Sequence, residues 1–228
     1  TGLILRQRRT TGLTRVDYHR NGSAGSRLSP ADIAVPVLTT AAVLHVTGIT
    51  PALGVAPRDA IRMAVDVAHD AGVTVSLDVN YRAALWSRTD AGDTLRPLLG
   101  KVDIIFASPD EARLLVQGET PRQLAAQLAR RGPTQVVLKL GADGAYARID
   151  GAVHEVLAVP VQVADPVGAG DAFVAGYLAE LIAGSPPEKR LSTATATGAF
   201  AVATAGDWEG LPHYAELTLV RPNDDVLR

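Results

Sequence analysis

Asp165-Pro166-Val167-Gly168-Ala169-Gly170-Asp171-Ala172-Phe173 is the stretch that organises this 228-residue chain. Three small residues, Gly168, Ala169 and Gly170, precede an apolar series of Phe173, Val174, Tyr177, Leu178, Leu181 and Ile182. The spacing predicts a helix from about Gly168 to Ala183, apolar nearly all round and therefore buried. Small residues at such a start let successive backbone N–H groups turn toward one point, where the helix dipole adds positive potential. Gly168, Ala169 and Gly170 thus read as an anion hole. Asp171 sets a carboxylate beside it, which suits a group that must touch a hydroxyl attacking a bound phosphate. The same four residues also read as a Gly-rich helix start whose first-turn acid complements the dipole. Taken alone, they leave both readings open.

Upstream of this stretch, 145–149 and 153–159 flank Asp150-Gly151, a dipeptide suited to a hairpin turn. Further back, short apolar strands are expected at 43–46, 73–77, 102–106 and 135–140. Helices are expected between them at 57–71, 91–99, 109–116 and 121–131, with Pro57 and Gly72 marking the ends of the first. Strands alternating with helices argue for βαβ units and a parallel sheet. The first 20 residues alternate as two short amphipathic strands, and 21–30 are a turn-rich break. A helix of small residues is expected at about 188–204. Residues 207–228 carry too few signals for a reading.

Composition removes several function classes. Apolar residues make up 47% and charged residues 20%, enough for a sizeable core. A formal net charge of −2 gives no general basic signature for nucleic acid or anionic membrane. No apolar run approaches the ~20 residues of a membrane helix. The chain has no cysteine, so disulfides, thiolate zinc sites and a cysteine nucleophile are excluded, and a reducing cytoplasm suits it. There is no G-x-x-x-x-G-K-[ST] loop, and no G-x-G-x-x-G follows a first strand.

Four stretches, in order, carry a resemblance. Asp165–Phe173 resembles the D-[TP]-[TV]-G-A-G-D-x-F signature of the ribokinase-like (PfkB) carbohydrate kinases. Asp78-Val79-Asn80-Tyr81-Arg82, followed by Leu85-Trp86, is similar to the D-x-N-x-R-x-x-L-W segment of the 2-keto-3-deoxygluconate kinase branch. Ser108-Pro109-Asp110-Glu111 resembles that family's N-x-x-E segment, with Ser108 in place of asparagine. The segment 137–145 resembles the strand and nucleotide loop before the signature. The resemblance implies a three-layer α/β/α sandwich with a small β lid. Residues 1–28 would be lid strands and 29–228 the nucleotide- and substrate-binding core.

The resemblance also implies roles. Asp171 is the catalytic base for the sugar hydroxyl, and Gly168, Ala169 and Gly170 form the anion hole for the transferring phosphoryl group. Ser108, Lys139, Gly141 and Gly144 border ATP together with Gly168 and Gly170. Glu111 stands near Mg²⁺, in part through water. The residues themselves offer a second reading here, because Ser108-x-x-Glu111 with Pro109 between is also a capping box. Asp165 reads either as part of a cation site or as the cap of its turn. Arg82 suits a sugar-acid carboxylate, its guanidinium fork matching two oxygens. Tyr18 and Arg20 lie where the branch touches substrate from its lid, although Ile4 stands where an aromatic is usual. Residues 199–206 would flank the adenine.

The expected activity is phosphorylation of 2-keto-3-deoxygluconate by ATP with Mg²⁺, in the cytoplasm, with room for a monovalent cation. A neutral-sugar kinase of the fructokinase or ribokinase type is the alternative, as is a non-catalytic binding protein. Expected partners are the sugar acid, ATP and a second copy joined through lid strands, with no nucleic acid and no membrane. The family's N-terminal Gly-Gly and asparagine segment has no counterpart here, so the resemblance expects sequence of the same fold before Thr1.

Overall fold

β1 (Leu3–Arg8) and β2 (Thr14–His19) pair antiparallel, Ile4 opposite Tyr18, in the computed structural model, which describes residues 2–8, 14–206 and 208–218. They belong to the first of two units, Thr1–Val102; the second is Asp103–Arg228. α1 (Val35–Leu38) is a single turn, and β3 (Val43–Thr47) follows it. α2 (Val55–Asp70) buries Ala60, Ile61, Ala64, Val65 and Ala68, the stripe that its sequence period requires. It begins two residues before Pro57, because proline in a first turn gives up an N–H that has no helical partner there.

β4 (Thr74–Asp78) lies parallel to β3, Leu44 opposite Val75, and is buried from Val75 to Asp78. α3 (Arg88–Leu95) is capped by the Ser87 hydroxyl, which accepts from the Asp90 N–H at 3.1 Å. The helix expected over 91–99 does not run through. α3 stops at Leu95 and the chain tightens into a 3-10 turn over Arg96–Lys101. Pro97 is the cause, since its ring cannot donate the next helical hydrogen bond.

In the second unit, β5 (Ile104–Ala107) is wholly buried and leads into α4 (Pro109–Ala112). α4 is shorter than the helix expected over 109–116, which gives way to turns: Leu114 N–H donates to Glu111 O and Leu115 N–H to Ala112 O. α5 (Pro121–Ala129) precedes β6 (Gln135–Lys139), which pairs parallel to β5. β7 (Ala145–Ile149) turns back against β6, and β8 (Ala152–Val156) turns back against β7, so this sheet is mixed. Asp150 and Gly151 both have positive φ, 50° and 90°, as the tight hairpin demands. α6 (Ala169–Ile182) and α7 (Pro187–Ala203) complete the unit.

The second unit has three layers. α5 packs on β6 and β7 from one side. On the other, Ala145, Ala147 and Ile149 meet Phe173, Val174 and Tyr177 of α6 and Leu191 of α7. Phe106 stands edge-on to Tyr177 at 5.2 Å, a geometry worth about 0.5–1.5 kcal/mol beyond the area buried. The Tyr177 hydroxyl donates to Gln135 Oε1 at 2.7 Å, which satisfies the polar end of that side chain. α6 is less enclosed than its sequence suggests: Ala175, Ala179 and Ile182 face outward. An apolar run fills the faces that find a partner and leaves the remainder in water. Among the described residues no helix is long and apolar enough to cross a membrane.

Candidate active site

The start of α6 is set by Gly168. Its φ of 83° is a left-handed conformation that costs glycine little, and it turns the chain directly into the helix. The first helical bond runs from the Ala172 N–H to Gly168 O at 2.9 Å. The N–H groups of Ala169, Gly170 and Asp171 therefore precede the ladder, at the positive end of the dipole. Asp171 lies in this first turn and is exposed. Before it, Asp165 is buried and its carboxylate accepts the Val167 N–H at 3.0 Å, holding the turn. The N–H groups of Ala164 and Asp165 both donate to Val202 O, which ties the loop to α7.

A cavity of about 560 Å³ opens against this helix start. Lys139, Gly141, Gly144, Ala169, Gly170 and Phe173 are among its lining. A Cβ placed on Gly170 would sit 3.5 Å from Lys139 Nζ, so the ammonium lies over the first turn of α6. Gly144 has φ 90° and ψ −127°, and a Cβ there would lie 1.9 Å from Val156 O. No other residue fits that position while β8 keeps its course. Residues 158–161 and 163 line it as well, together with Thr195, Ala199 and Val202. The lining is mostly apolar, with one cation and one helix N-terminus at the end where Gly170 sits. A planar base and a chain of phosphates are the complementary chemistry.

The capping box at α4 is formed. Ser108 Oγ accepts the Glu111 N–H at 3.2 Å, and Glu111 Oε2 accepts the Ser108 N–H at 2.7 Å. Neither residue lines the 560 Å³ cavity. Among the described residues there is no group of three or more His, Cys, Asp or Glu side chains arranged to hold a metal ion.

The remaining candidates belong to the first unit. Tyr18 is half-buried on β2, with the Arg20 guanidinium 4.5 Å from the centre of its ring. Beyond β4, Asp78 and Asn80 are buried, and Asn80 takes a φ of 40°, a left-handed value that asparagine tolerates better than most residues. The Tyr81 hydroxyl donates to Trp86 O at 3.1 Å, closing the loop. Within it, Arg82 Nε and Trp86 Nε1 are buried with no hydrogen-bond partner among the described residues. Buried donors of this kind are costly unless something accepts from them.

Sequence reasoning passed over two features. The strand expected over 153–159 stops at Val156, and the chain beyond it leaves the sheet to line the cavity. Glu180, the acid in the apolar second half of α6, is 2% exposed and accepts from the Ser185, Thr193 and Tyr214 hydroxyls at 2.5, 2.8 and 3.3 Å. A carboxylate set among Tyr177, Leu178, Leu181 and Ile182, far from the helix start, was the available signal. It braces α6 against α7 at the end away from Asp171.

Comparison with known proteins agrees with this geometry. Residues 1–213 match the pfkB family carbohydrate kinase family. The chain is 37% identical over 206 residues to a 2-dehydro-3-deoxygalactonokinase of Haloferax volcanii, covering 89% of this chain and 64% of that protein. It is 36% identical over 218 residues to a 2-dehydro-3-deoxygluconokinase of Thermoproteus tenax, covering 93% and 65%. It thus spans just under two thirds of the length of these relatives. The crystal structure of a PfkB protein from Polaromonas sp. JS666 superposes with a TM-score of 0.85 at 34% identity, over 96% of this chain and 70% of that one. Signature loop, layered α/β architecture and near full-length match together place this chain in the pfkB family of carbohydrate kinases.

Proposed function

We propose that this chain transfers the γ-phosphoryl group of ATP to a primary hydroxyl of a sugar acid, 2-keto-3-deoxygluconate. The observation that carries the reading is the start of α6, where Asp171 follows a left-handed Gly168 beside an apolar cavity with Lys139 at its polar end. The names of the two relatives support a keto-deoxy sugar acid as the acceptor.

In this reading Asp171 orients the attacking hydroxyl and takes its proton. The N–H groups following Gly168, at Ala169, Gly170 and Asp171, meet the charge on the transferring group. A loose transition state asks little of a strong base, so positioning and charge neutralisation supply most of the rate. When bound, ATP supplies the phosphoryl group and Mg²⁺ offsets the charge on its oxygens. The residues present suit both. Gly141 and Gly144 let the backbone approach a nucleotide and Lys139 faces its phosphates; in the same reading Ser108 borders the nucleotide and Glu111 acts on Mg²⁺ through water, both from outside the cavity lining. Mg²⁺ is commonly held by phosphates and water with one or two carboxylates, a role that Glu111 fills in this reading.

Arg82 pairs with the substrate carboxylate, its buried Nε being a donor in want of an acceptor. Tyr18 and Arg20 reach the sugar from a lid made by residues 1–28, over a core of 29–228. Leu3, Ile4 and Leu5 are exposed on β1, which favours a second copy pairing through the lid strands. A monovalent cation at the Asp165 turn belongs to the same reading.

The test is a steady-state assay of ATP-dependent phosphorylation across sugar acids and neutral sugars. 2-Keto-3-deoxygluconate is expected to give the highest kcat/KM. A preference for fructose or ribose would refute the acceptor, and no phosphorylation of any sugar by the full-length protein would refute the kinase.

A further inference from the structure

β7 reads Ala145-Tyr146-Ala147-Arg148-Ile149, and its alternation sends Tyr146 and Arg148 away from the core that α6 and α7 share. They emerge on the face that α5 covers. There, between α5 and the β7–β8 hairpin, lies a hollow of about 400 Å³. Arg148, Tyr146 and Val153 make its floor, and Arg122 and Arg130 stand over it from the two ends of α5. It shares no lining residue with the cavity beside α6.

Three arginines line this hollow and no carboxylate does. Among the described residues none of the three side chains takes part in a hydrogen bond or ion pair, whereas the Arg62, Arg96 and Arg113 side chains each pair with an aspartate three residues earlier. Asp143 and Glu155 line an adjoining hollow that shares Arg122 and Tyr146 with this one, Glu155 standing opposite Tyr146 across the β7–β8 pair. In a chain of net charge −2, three like charges around one concavity are held together against their own repulsion. An anion would relieve that repulsion. Guanidinium forks match phosphate oxygens two at a time, and Tyr146 offers a ring face and a hydroxyl beside them. A volume of about 400 Å³ suits a small molecule rather than a polymer.

We infer that this groove is a second ligand site, distinct from the kinase centre, and that its ligand is a small phosphorylated metabolite. The inference does not rest on the kinase reading, because none of its residues belongs to the α6 cavity.

The experiment is calorimetric titration of the full chain with inorganic pyrophosphate and, separately, glycerol 3-phosphate, with ADP held in excess to occupy the α6 cavity. Both probes are expected to bind. Affinity should fall about 10-fold or more in Arg122→Gln/Arg130→Gln and in Arg148→Gln, as loss of charge-assisted bonds requires. The double variant alters only exposed positions on α5, so it still decides the matter if Arg148→Gln fails to fold. Stronger binding of glycerol 3-phosphate than pyrophosphate would assign the site to esters, and the reverse to inorganic phosphates. Unchanged affinity in the double variant, or no binding of either probe to the wild-type chain, would overturn the inference. So would an oligothymidylate that binds more tightly than both probes and is lost with the same arginines.

Discussion

Gly144→Ala tests the link between sheet and site most directly. Gly144 sits at φ 90° and ψ −127°, a region costing a residue with a Cβ about 1–3 kcal/mol. The new methyl would also lie 1.9 Å from Val156 O and 2.7 Å from Ala158 N, more than an ångström short of the 3.0 Å that real Cβ contacts keep to the first. Both obstacles are backbone, so no side chain can swing aside. Forcing an extra carbon into such a place costs about a further 1–3 kcal/mol. Gly151 is the internal control. It has the same φ of 90°, but a Cβ there would meet nothing within 4 Å, so Gly151→Ala carries backbone strain without the clash. Urea unfolding should place Gly144→Ala about 2–6 kcal/mol below wild type, and below Gly151→Ala by about 1–3 kcal/mol, with little change in m. Because 158–163 wall the cavity, nucleotide affinity measured by fluorescence titration should fall in Gly144→Ala and hold in Gly151→Ala. Equal stabilities for the two variants would refute the reasoning, since the close approach to Val156 would then carry no energy.

Three further outcomes are expected. Asp171→Asn should lower kcat by roughly 10²–10⁴ with nucleotide affinity little changed, and near-normal turnover would remove Asp171 from the chemistry. Arg82→Ala should lose about 10–150-fold in kcat/KM against a sugar acid and far less against a neutral sugar; equal losses would show that Arg82 does not read the carboxylate. Burial raises the Glu180 carboxyl, but the hydroxyls of Ser185, Thr193 and Tyr214 and the charge of Lys189 outweigh it, leaving the group below its ordinary value of 4.5. Its contribution is therefore complete above about pH 4.5 and lost as pH falls through the lower folded value, so thermal unfolding from pH 7 to 3 should show a shallower acid decline in Glu180→Gln than in wild type.

Signals that act over a few residues were legible in the chain. Asp150-Gly151 announced its hairpin because two positive φ values are a property of the dipeptide. Ser108 and Glu111 declared a capping box, since donor and acceptor are three residues apart on one turn. The start of α6 was readable from Gly168 and the apolar series after it, and the family's signature residues gave the chemistry its most specific pointer. Pro97 also stood in plain sight as the end of α3, although the apolar spacing around it suggested a longer helix.

Tertiary structure decided what depends on segments distant in sequence. Lys139 and Gly170 are brought side by side by the packing of α6 against the sheet, which no local period encodes. The departure of 157–159 from the expected strand is invisible in their sequence, because an apolar wall and a strand edge select the same residues. Glu180 finds its partners only when α7 delivers Thr193 and the chain beyond it delivers Tyr214. Arg122, Arg130 and Arg148 are unremarkable one by one, and become a concentrated positive groove only when α5 lies over β7. Backbone torsion and capping are settled within a turn or two of chain. Burial and the summing of charge depend on which surfaces meet, and that is a property of the whole fold.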